Sequence, residues 1–237
     1  MFKKKKIIGV IPARSGSKGI KNKNMSKINN ISLIGHASKF LNELNFIDYK
    51  IITSDSEIYI KEAKKYGIDN NIKRSKKLSN DKASIIDALI NSLLTLEKTK
   101  KLIFDYILLL EPTSPLRKKM DIYGALKLAI NNNADCVTTV SELDSKYHPY
   151  KIFKENNNKI FFYSKYGVNV VNKQQIKNKL FFRNGLCYVI NVESLKKNRK
   201  IITNNTYPYL VNRNVSDIDS KVDLLWTQFL YDNEFKK

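Results

Sequence analysis

The chain has little of several features that define common classes of protein. It holds two cysteines in 237 residues, Cys136 and Cys187, and both lie in apolar runs without metal-ligand spacing. We therefore predict reduced core residues, and neither a disulfide framework nor a zinc site. No apolar run approaches the roughly 20 residues that cross a bilayer. The lysine-rich start is not followed by the apolar core of a signal peptide, so we expect a cytoplasmic protein with no membrane partner.

Acidic residues are scarce. There are 22 Asp and Glu against 43 Lys and Arg, a formal net charge of +21. Such a charge can indicate nucleic-acid binding, but Lys is also a frequent surface residue in chains as rich in Asn and Ile as this one. Between residues 156 and 216 the only acidic residue is Glu193, against eleven Lys and Arg. That imbalance favours a small anionic ligand, and because the usual nucleic-acid recognition motifs are missing we expect no nucleic-acid partner.

Short apolar runs alternate with amphipathic segments through most of the chain. Ile7 to Ile11 is wholly apolar, which is typical of a parallel strand buried on both faces. Further strands are predicted at 49–53, 106–110, 136–140 and 186–191, and helices at 32–44, 57–66, 85–94, 120–131 and 221–231. This alternation predicts a single α/β domain over residues 1–237 with a mainly parallel sheet.

The pattern changes after about Ser145. Two aromatic strand-like runs flank the Asn-rich turn 156–158 and predict a β-hairpin. We assign it to an inserted arm at approximately residues 146–184. Its aromatic side chains predict packing on another surface, such as a second subunit.

The loop from Ala13 to Asn24 follows the first strand, at the sheet edge where open α/β sheets bind ligands. Gly16 and Gly19 allow backbone N–H groups to turn toward an anion, and Arg14, Lys18 and Lys23 supply charge-assisted hydrogen bonds. The spacing fits neither a Walker A loop nor a dinucleotide turn. We interpret the segment as a phosphate-binding loop; a flexible basic loop is the alternative.

Two other segments carry chemistry. The loop Glu111 to Arg117 contains two prolines and follows a buried strand, although a rigid structural turn would have the same composition. In an extended segment, Asp217 and Asp219 present their carboxylates on one side, a donor set that suits Mg²⁺. The alternative is an acidic helix start, with Asp219 or Ser220 as the cap. Taken together, phosphate loop and carboxylate pair indicate metal-assisted phosphoryl or nucleotidyl transfer.

In this order, the motifs resemble the acylneuraminate (CMP-sialic acid) cytidylyltransferase family over nearly the whole chain. The matching segments are 13–19 with Lys23-Asn24, Arg74 before 78–81, 112–117, His148-Pro149, Arg183-Asn184-Gly185 and 217–219.

The resemblance implies a Rossmann-like nucleotide-diphospho-sugar transferase fold. It also implies a homodimer joined through the inserted arm, and transfer of CMP from CTP to an acidic nine-carbon sugar with Mg²⁺ as cofactor. It assigns nucleotide contacts to Arg14, Ser17, Lys18, Lys23, Asn24, Arg74 and Ser84. It assigns the metal to Asp217 and Asp219, and sugar contacts to Glu111 and Arg183. Of the nucleotide-binding residues, Arg14, Lys18 and Lys23 would act in catalysis by neutralising charge on the leaving pyrophosphate.

Two departures from the family pattern leave the sugar open. Glu111 stands where Gln or Asp is frequent, and the Arg183 segment is one residue shorter than in some sialic acid enzymes. Another acidic sugar, of the 3-deoxy-octulosonate or legionaminate type, is an alternative, as are a nucleic-acid-binding module and a catalytically silent sensor. Lys21 replaces a frequent proline and predicts a less rigid loop. His148 is expected to shape the sugar site, and His36 to be packed or solvent-facing rather than catalytic.

Overall fold

A computed structural model describes residues 2–16, 19–80, 83–169 and 179–235. The strands are β1 (Ile7–Ala13), β2 (Lys27–Ile28), β3 (Ile31–Ser32), β4 (Tyr49–Ser54), β5 (Asn70–Lys73), β6 (Tyr106–Leu109), β7 (Cys136–Glu142), β8 (Phe153–Asn156), β9 (Lys159–Phe162), β10 (Phe181–Asn191) and β11 (Thr206–Leu210). The α-helices are α1 (Leu33–Asn42), α2 (Glu57–Lys65), α3 (Ile85–Lys100), α4 (Lys119–Asn131), α5 (Val192–Asn198) and α6 (Lys221–Leu230).

Seven strands form the central sheet, in the order β11-β7-β10-β6-β1-β4-β5. Strand β1 runs parallel to β4 and β6, β4 runs parallel to β5, and β7 runs parallel to β11. Strand β10 is antiparallel to both of its neighbours. The mainly parallel sheet is confirmed, with one reversed strand that begins at Phe181, within the range predicted for the arm.

The alternation of side chains along β1 builds two cores at once. Ile7 and Ile11 pack on the face covered by α1, α2 and α4, and Ile8 and Val10 pack on the face covered by α3 and α5. Successive strand residues point to opposite faces, so a strand buried on both sides needs an unbroken apolar run. Each such side chain stabilises the fold by about 1.5–3 kcal/mol. Both cysteines are fully buried in these cores, as predicted.

The elements that sequence patterns did not predict are short or lie at sheet edges. β5 and β11 are the two edge strands of the sheet. Their side chains are only partly buried or exposed, so neither strand needs an apolar run, and β5 has the sequence NNIK. β11 tolerates Pro208 because an edge strand does not need every N–H. The seven-residue helix α5 is too short for a clear helical period. The predicted hairpin is confirmed as the pair β8 and β9.

Parallel strands β1, β4 and β6 end at the same edge of the sheet, which brings together the loops that follow them. No helix in the described part of the chain is both long and apolar enough to cross a membrane.

We expect Ile11→Ala to lower the free energy of unfolding by about 2–4 kcal/mol, because Ile11 is fully buried beside the strand end and its removal leaves a cavity. Urea denaturation followed by circular dichroism measures the change. Ile58→Ala is the matched control, since Ile58 on α2 is 67% exposed, and should change stability by less than about 0.5 kcal/mol. Equal losses in the two variants would contradict the assigned core.

Candidate functional site

A polar cleft of about 570 Å³ opens at the carboxyl edge of β1 and β6. Its walls come from the loops after β1, β5 and β6, the start of α3 and the segment before α6. The lining residues are Pro12, Arg14, Gly19, Lys23, Asn24, Arg74, Leu78, Ala83, Ile85, Glu111, Pro112, Thr113, Asp217 and Asp219.

The basic loop is held by hydrogen bonds to other strand ends. Asp55, directly after β4, accepts hydrogen bonds from the Ser15 backbone N–H (2.9 Å) and hydroxyl (2.6 Å). The buried Asn24 amide donates to the Arg14 carbonyl at 3.1 Å, and the Arg14 guanidinium donates to the Asn80 carbonyl at 3.2 Å. Arg14, Lys23 and Asn24 therefore share the cleft, whereas Ser17 and Lys18 lie outside the described residues.

Gly19 is where the loop meets the far end of the chain. A Cβ atom at this position would lie 2.5 Å from the Asp219 carbonyl oxygen, closer than any real contact. The need for glycine here comes from this close approach of two backbones.

The segment from Asp217 to Asp219 is tied to the loop after β6. The Ile218 N–H donates to the Thr113 carbonyl at 2.9 Å, and the Ser114 hydroxyl donates to the Asp217 carboxylate at 3.2 Å. Lys23 Nζ lies 2.8 Å from Asp219 Oδ1. Both carboxylates thus line one cleft, and Asp219 contacts the basic loop.

The sequence left open whether Asp219 or Ser220 caps the last helix, and in the structure Ser220 is the cap. Its hydroxyl accepts from the Asp223 N–H, and the Asp223 carboxylate accepts from the Ser220 N–H at 2.7 Å, which forms a capping box. The Asp223 carboxylate therefore serves as part of the cap at the start of α6. The Asp219 carboxylate does not cap the helix and faces the cleft instead.

Glu111 brings a third carboxylate to the cleft. Burial raises its pKa to about 7, and the Asp217 carboxylate adds to this effect, against the opposing charges of Arg117, Arg183 and Lys23. Within the described residues, the Glu111 carboxylate accepts no hydrogen bond. Glu111 and Asp217 repel each other when both are charged, and Glu111 is also desolvated. A cation bound beside them would offset both costs.

Arg117 fixes the backbone under Glu111. Its buried guanidinium donates to the Leu186 carbonyl on β10 and to the Glu111 carbonyl. Burial lowers its pKa to about 10, so it is still charged at neutral pH. Arg117 thus joins the β6 loop to the reversed strand β10.

Arg74 lies at the opposite wall of the cleft. Its Nε donates to the Thr53 hydroxyl at 3.1 Å, while its Nη2 is buried without a hydrogen-bond partner in the described structure. Burial lowers the pKa of Arg74 to about 10. A charged donor that is buried and unsatisfied is costly unless a ligand acceptor meets it.

Three other predicted residues do not line the cleft as described. Ser84 caps α3 by accepting the Ile86 N–H at 3.1 Å, while its neighbours Ala83 and Ile85 line the wall. Arg183 is exposed on β10, near enough to influence the pKa of Glu111. His148 is buried at the base of the arm, where its Nδ1 accepts the Tyr150 N–H at 3.2 Å.

His36 is partly buried, which is one of the two environments left open for it. Its Nε2 lies 2.8 Å from the Ile28 carbonyl oxygen, and burial lowers its pKa. Sequence reasoning missed Asp55 and Ser114. Asp55 follows a strand at the ligand edge, a position that could have indicated it.

The fold, an α/β protein with a mainly parallel sheet, is shared with solved structures of low sequence identity. A CMP:2-keto-3-deoxy-manno-octonic acid synthetase solved with CTP superposes with a TM-score of 0.72 at 15% identity, over 97% of this chain and 100% of that chain. A 4-diphosphocytidyl-2C-methyl-D-erythritol synthase from Anaerococcus prevotii gives 0.62 at 10% identity, over 97% of both chains. These similarities establish the fold.

The family follows from the sequence. The chain belongs to the cytidylyltransferase family, whose model matches residues 8–219. It is 30% identical to the CMP-N,N'-diacetyllegionaminic acid synthase of Campylobacter jejuni, over 94% of each chain. It is also 30% identical to the post-translational flagellin modification protein B of Campylobacter coli, over 94% of each chain. With the N-acylneuraminate cytidylyltransferase of Streptococcus agalactiae serotype V it shares 30% identity over 93% of this chain but only 52% of that protein.

The raised pKa of Glu111 makes stability depend on pH. Its stabilising contribution is fully present below the ordinary pKa of 4.5 and is lost as the pH rises through about 7. In metal-free protein, we compare the free energy of unfolding of Glu111→Gln with that of wild type at pH 5 and at pH 8.5. We expect the difference to move by about 1–3 kcal/mol in favour of the variant as the pH rises, because only wild type loses stability when Glu111 ionises. Urea denaturation at both pH values measures this gain. The exposed Glu193→Gln on α5 is the control; a pH-independent difference for Glu111→Gln would contradict the assigned environment.

Proposed function

We propose that this chain transfers CMP from CTP to the anomeric hydroxyl of a sialic-acid-like nonulosonic acid and releases pyrophosphate, with Mg²⁺ as cofactor. The observation that carries the proposal is the convergence of the basic loop and two aspartates in one cleft. The basic loop and the aspartates lie about 200 residues apart in the sequence and meet in this cleft. Membership of the cytidylyltransferase family supports nucleotidyl transfer as the class of reaction.

The nucleotide would lie along the wall formed by the loop after β1. Arg14 and Lys23 supply positive charge for the triphosphate, together with Ser17 and Lys18, and Asn24 holds the loop in place. The unsatisfied Nη2 of Arg74 supplies a donor for an acceptor on the cytidine side of the cleft. Ser84, at the α3 start, remains a predicted contact on that same side.

The residues present fit a magnesium ion. Asp217 and Asp219 are hard oxygen donors in the same cleft, and the desolvated Glu111 carboxylate beside Asp217 favours a cation there. Among the described residues, no three His, Cys, Asp or Glu side chains form a complete metal-binding group. Mg²⁺ typically takes one or two carboxylates and completes its shell with phosphate and water. Held by Asp217 and Asp219, it would supply positive charge that polarises the phosphates of the nucleotide.

In the proposed reaction, the anomeric hydroxyl of the sugar releases its proton to solvent and its oxygen bonds to the α-phosphorus of CTP. The bond from that phosphorus to the pyrophosphate oxygen breaks, and pyrophosphate leaves with the bonding electrons. Arg14, Lys18 and Lys23 would neutralise the charge that develops on pyrophosphate. Lys23 now pairs with Asp219, so it stands between the metal ligands and the phosphate loop. Positioning and electrostatic stabilisation supply most of the rate enhancement in such transfers.

The acidic sugar would occupy the side of the cleft near Glu111 and β10. The proposal assigns Arg183 to the sugar carboxylate by a charge-assisted hydrogen bond, Glu111 to a polar group of the sugar, and His148 to the shape of this end. Relatives are named for N-acylneuraminate, legionaminic acid and pseudaminic acid, which supports a nine-carbon acid. A legionaminate-type or 3-deoxy-octulosonate acid is the alternative substrate.

We further propose that the protein is a cytoplasmic homodimer. The reaction consumes CTP, a cytoplasmic nucleotide, and the arm exposes large apolar side chains, among them Ile160, Phe161 and Tyr163. Exposed apolar patches of this kind typically mark protein interfaces.

We expect Asp217→Asn to reduce kcat/KM for pyrophosphate release about 100-fold or more, because the metal and the α-phosphate would lose a charged ligand. A coupled pyrophosphate assay with CTP, Mg²⁺ and the best sugar measures this loss. Asp69→Asn is the matched control, since Asp69 lies outside the cleft in the loop before β5, and it should retain wild-type turnover. Unchanged turnover in Asp217→Asn would contradict the assigned metal site.

The substrate is tested with the same assay across a panel of sugars. We expect turnover with at least one of N-acetylneuraminate, a legionaminate and a pseudaminate, and the highest kcat/KM identifies the substrate. Turnover with a legionaminate alone or with 3-deoxy-octulosonate alone would select the alternative substrate. No turnover with any of these acids would contradict the proposed reaction.

A further inference from the structure

Asp55 lies directly behind the basic loop, at the sheet edge where the cleft opens. Strand β4 ends at Ser54, which is paired with Ala13 at the end of β1, so the residues that follow the two strands lie side by side. Asp55 is partly buried, and it is not among the described residues that line the cleft. Its effect on a ligand must therefore pass through the residues that it holds.

Both oxygens of the Asp55 carboxylate hold the loop. Oδ1 accepts a hydrogen bond from the Ser15 N–H at 2.9 Å, and Oδ2 accepts one from the Ser15 hydroxyl at 2.6 Å. Hydrogen bonds to an ionised acceptor are about twice as strong as those between neutral groups. A Cβ atom at the next residue, Gly16, would meet no atom of the described chain within 4 Å. Packing therefore does not fix the loop at this point, whereas the two hydrogen bonds to Ser15 do.

Asp55 also lies near a second cation of the cleft. Arg74 follows β5, and its N–H donates to the Ser54 carbonyl at 2.8 Å, which anchors Arg74 at the end of β4. Burial lowers the pKa of Arg74 and the charge of Arg14 lowers it further, whereas the charge of Asp55 raises it. The two guanidinium groups thus repel each other within one cleft, and the Asp55 carboxylate offsets that repulsion.

We propose that Asp55 is a positioning residue for the triphosphate of the nucleotide, an inference that rests on the proposed reaction with CTP. Through Ser15 it would hold the basic loop in the conformation that meets the β- and γ-phosphates, and its charge would keep Arg14 and Arg74 together at the cleft. A loop already held in its bound conformation loses less entropy when the ligand binds. A carboxylate near a triphosphate is also repulsive, so the two effects of Asp55 on CTP binding have opposite signs, and the effect on the loop is the larger.

The sign of the change in CTP affinity separates positioning from charge. Asp55→Ala removes one negative charge, so charge alone would make CTP bind more tightly. We expect instead that the dissociation constant of CTP rises about tenfold, because Ser15 loses both of its bonds to a charged acceptor. Isothermal titration calorimetry with CTP and Mg²⁺, without sugar, measures this change in the absence of turnover. Unchanged or tighter CTP binding by Asp55→Ala would overturn the proposal.

Glu57→Ala is the matched control. It also removes one carboxylate, two residues further along the chain, but Glu57 is exposed and pairs with Lys73 at 2.6 Å. Its dissociation constant for CTP should stay within about twofold of wild type. Asp55→Asn keeps one acceptor oxygen at the same place, so its affinity should lie between those of wild type and Asp55→Ala. An equal loss in Glu57→Ala, or no recovery in Asp55→Asn, would contradict the assigned role.

Two further measurements identify the route of the effect. CMP lacks the β- and γ-phosphates, so Asp55→Ala should weaken CMP binding by less than about twofold; an equal loss for CMP and CTP would mean a general structural effect and would reject positioning of the triphosphate. Ser15→Ala combined with Asp55→Ala should bind CTP no more weakly than Asp55→Ala alone, because the hydroxyl has already lost its partner. Additive losses would reject the route through Ser15.

The outcome for wild type distinguishes this inference from the proposed function. If wild type binds CTP and releases pyrophosphate with a nonulosonic acid, whereas Asp55→Ala binds CTP as wild type does, only the positioning role fails. If wild type binds no CTP, the proposed function fails and the role of Asp55 fails with it.

Discussion

The hydrogen bond from the Ile218 N–H to the Thr113 carbonyl is the contact on which the cleft depends. It joins the segment before the last helix to the loop after a central strand. Ile218 itself is fully buried against Ile28 and Leu33, so water does not compete for the bond. Because this one residue is fixed, the carboxylates on either side of it, Asp217 and Asp219, face the cleft.

Although the chain is strongly basic, three of its acidic side chains lie together at the cleft. Asp219 pairs with Lys23, and Asp217 accepts from Ser114, while Glu111 is left desolvated with a raised pKa. Acidic and basic side chains therefore meet in one cleft, with Lys23 in direct contact with Asp219. Such a site suits an anionic nucleotide bound together with a divalent cation. The large net charge of the surface therefore says less about function than this local arrangement does.

The predictions succeeded where the signal is local and failed where it is not. Buried strands such as β1 and β6 can be recognised in the sequence as apolar runs, because both of their faces are covered. The edge strands β5 and β11 cannot, since their side chains are only partly buried or exposed. Likewise the loop residues Arg14 and Asn24 were predicted from composition and resemblance, and they lie in the cleft. Asp55, which holds Ser15, was missed because its partner is set by the pairing of β1 with β4.

The sequence by itself determined the buried strands and the longer helices, the α/β class and the motifs that identify the family, because each depends on residues close together in the chain. Only the tertiary structure decided how the three clustered aspartates divide their work. Ser220 and Asp223 cap α6, which leaves Asp219 to meet Lys23. It alone also decided the pKa of Glu111. The physical reason is that burial and neighbouring charge come from segments far apart in sequence, and folding is what brings them together.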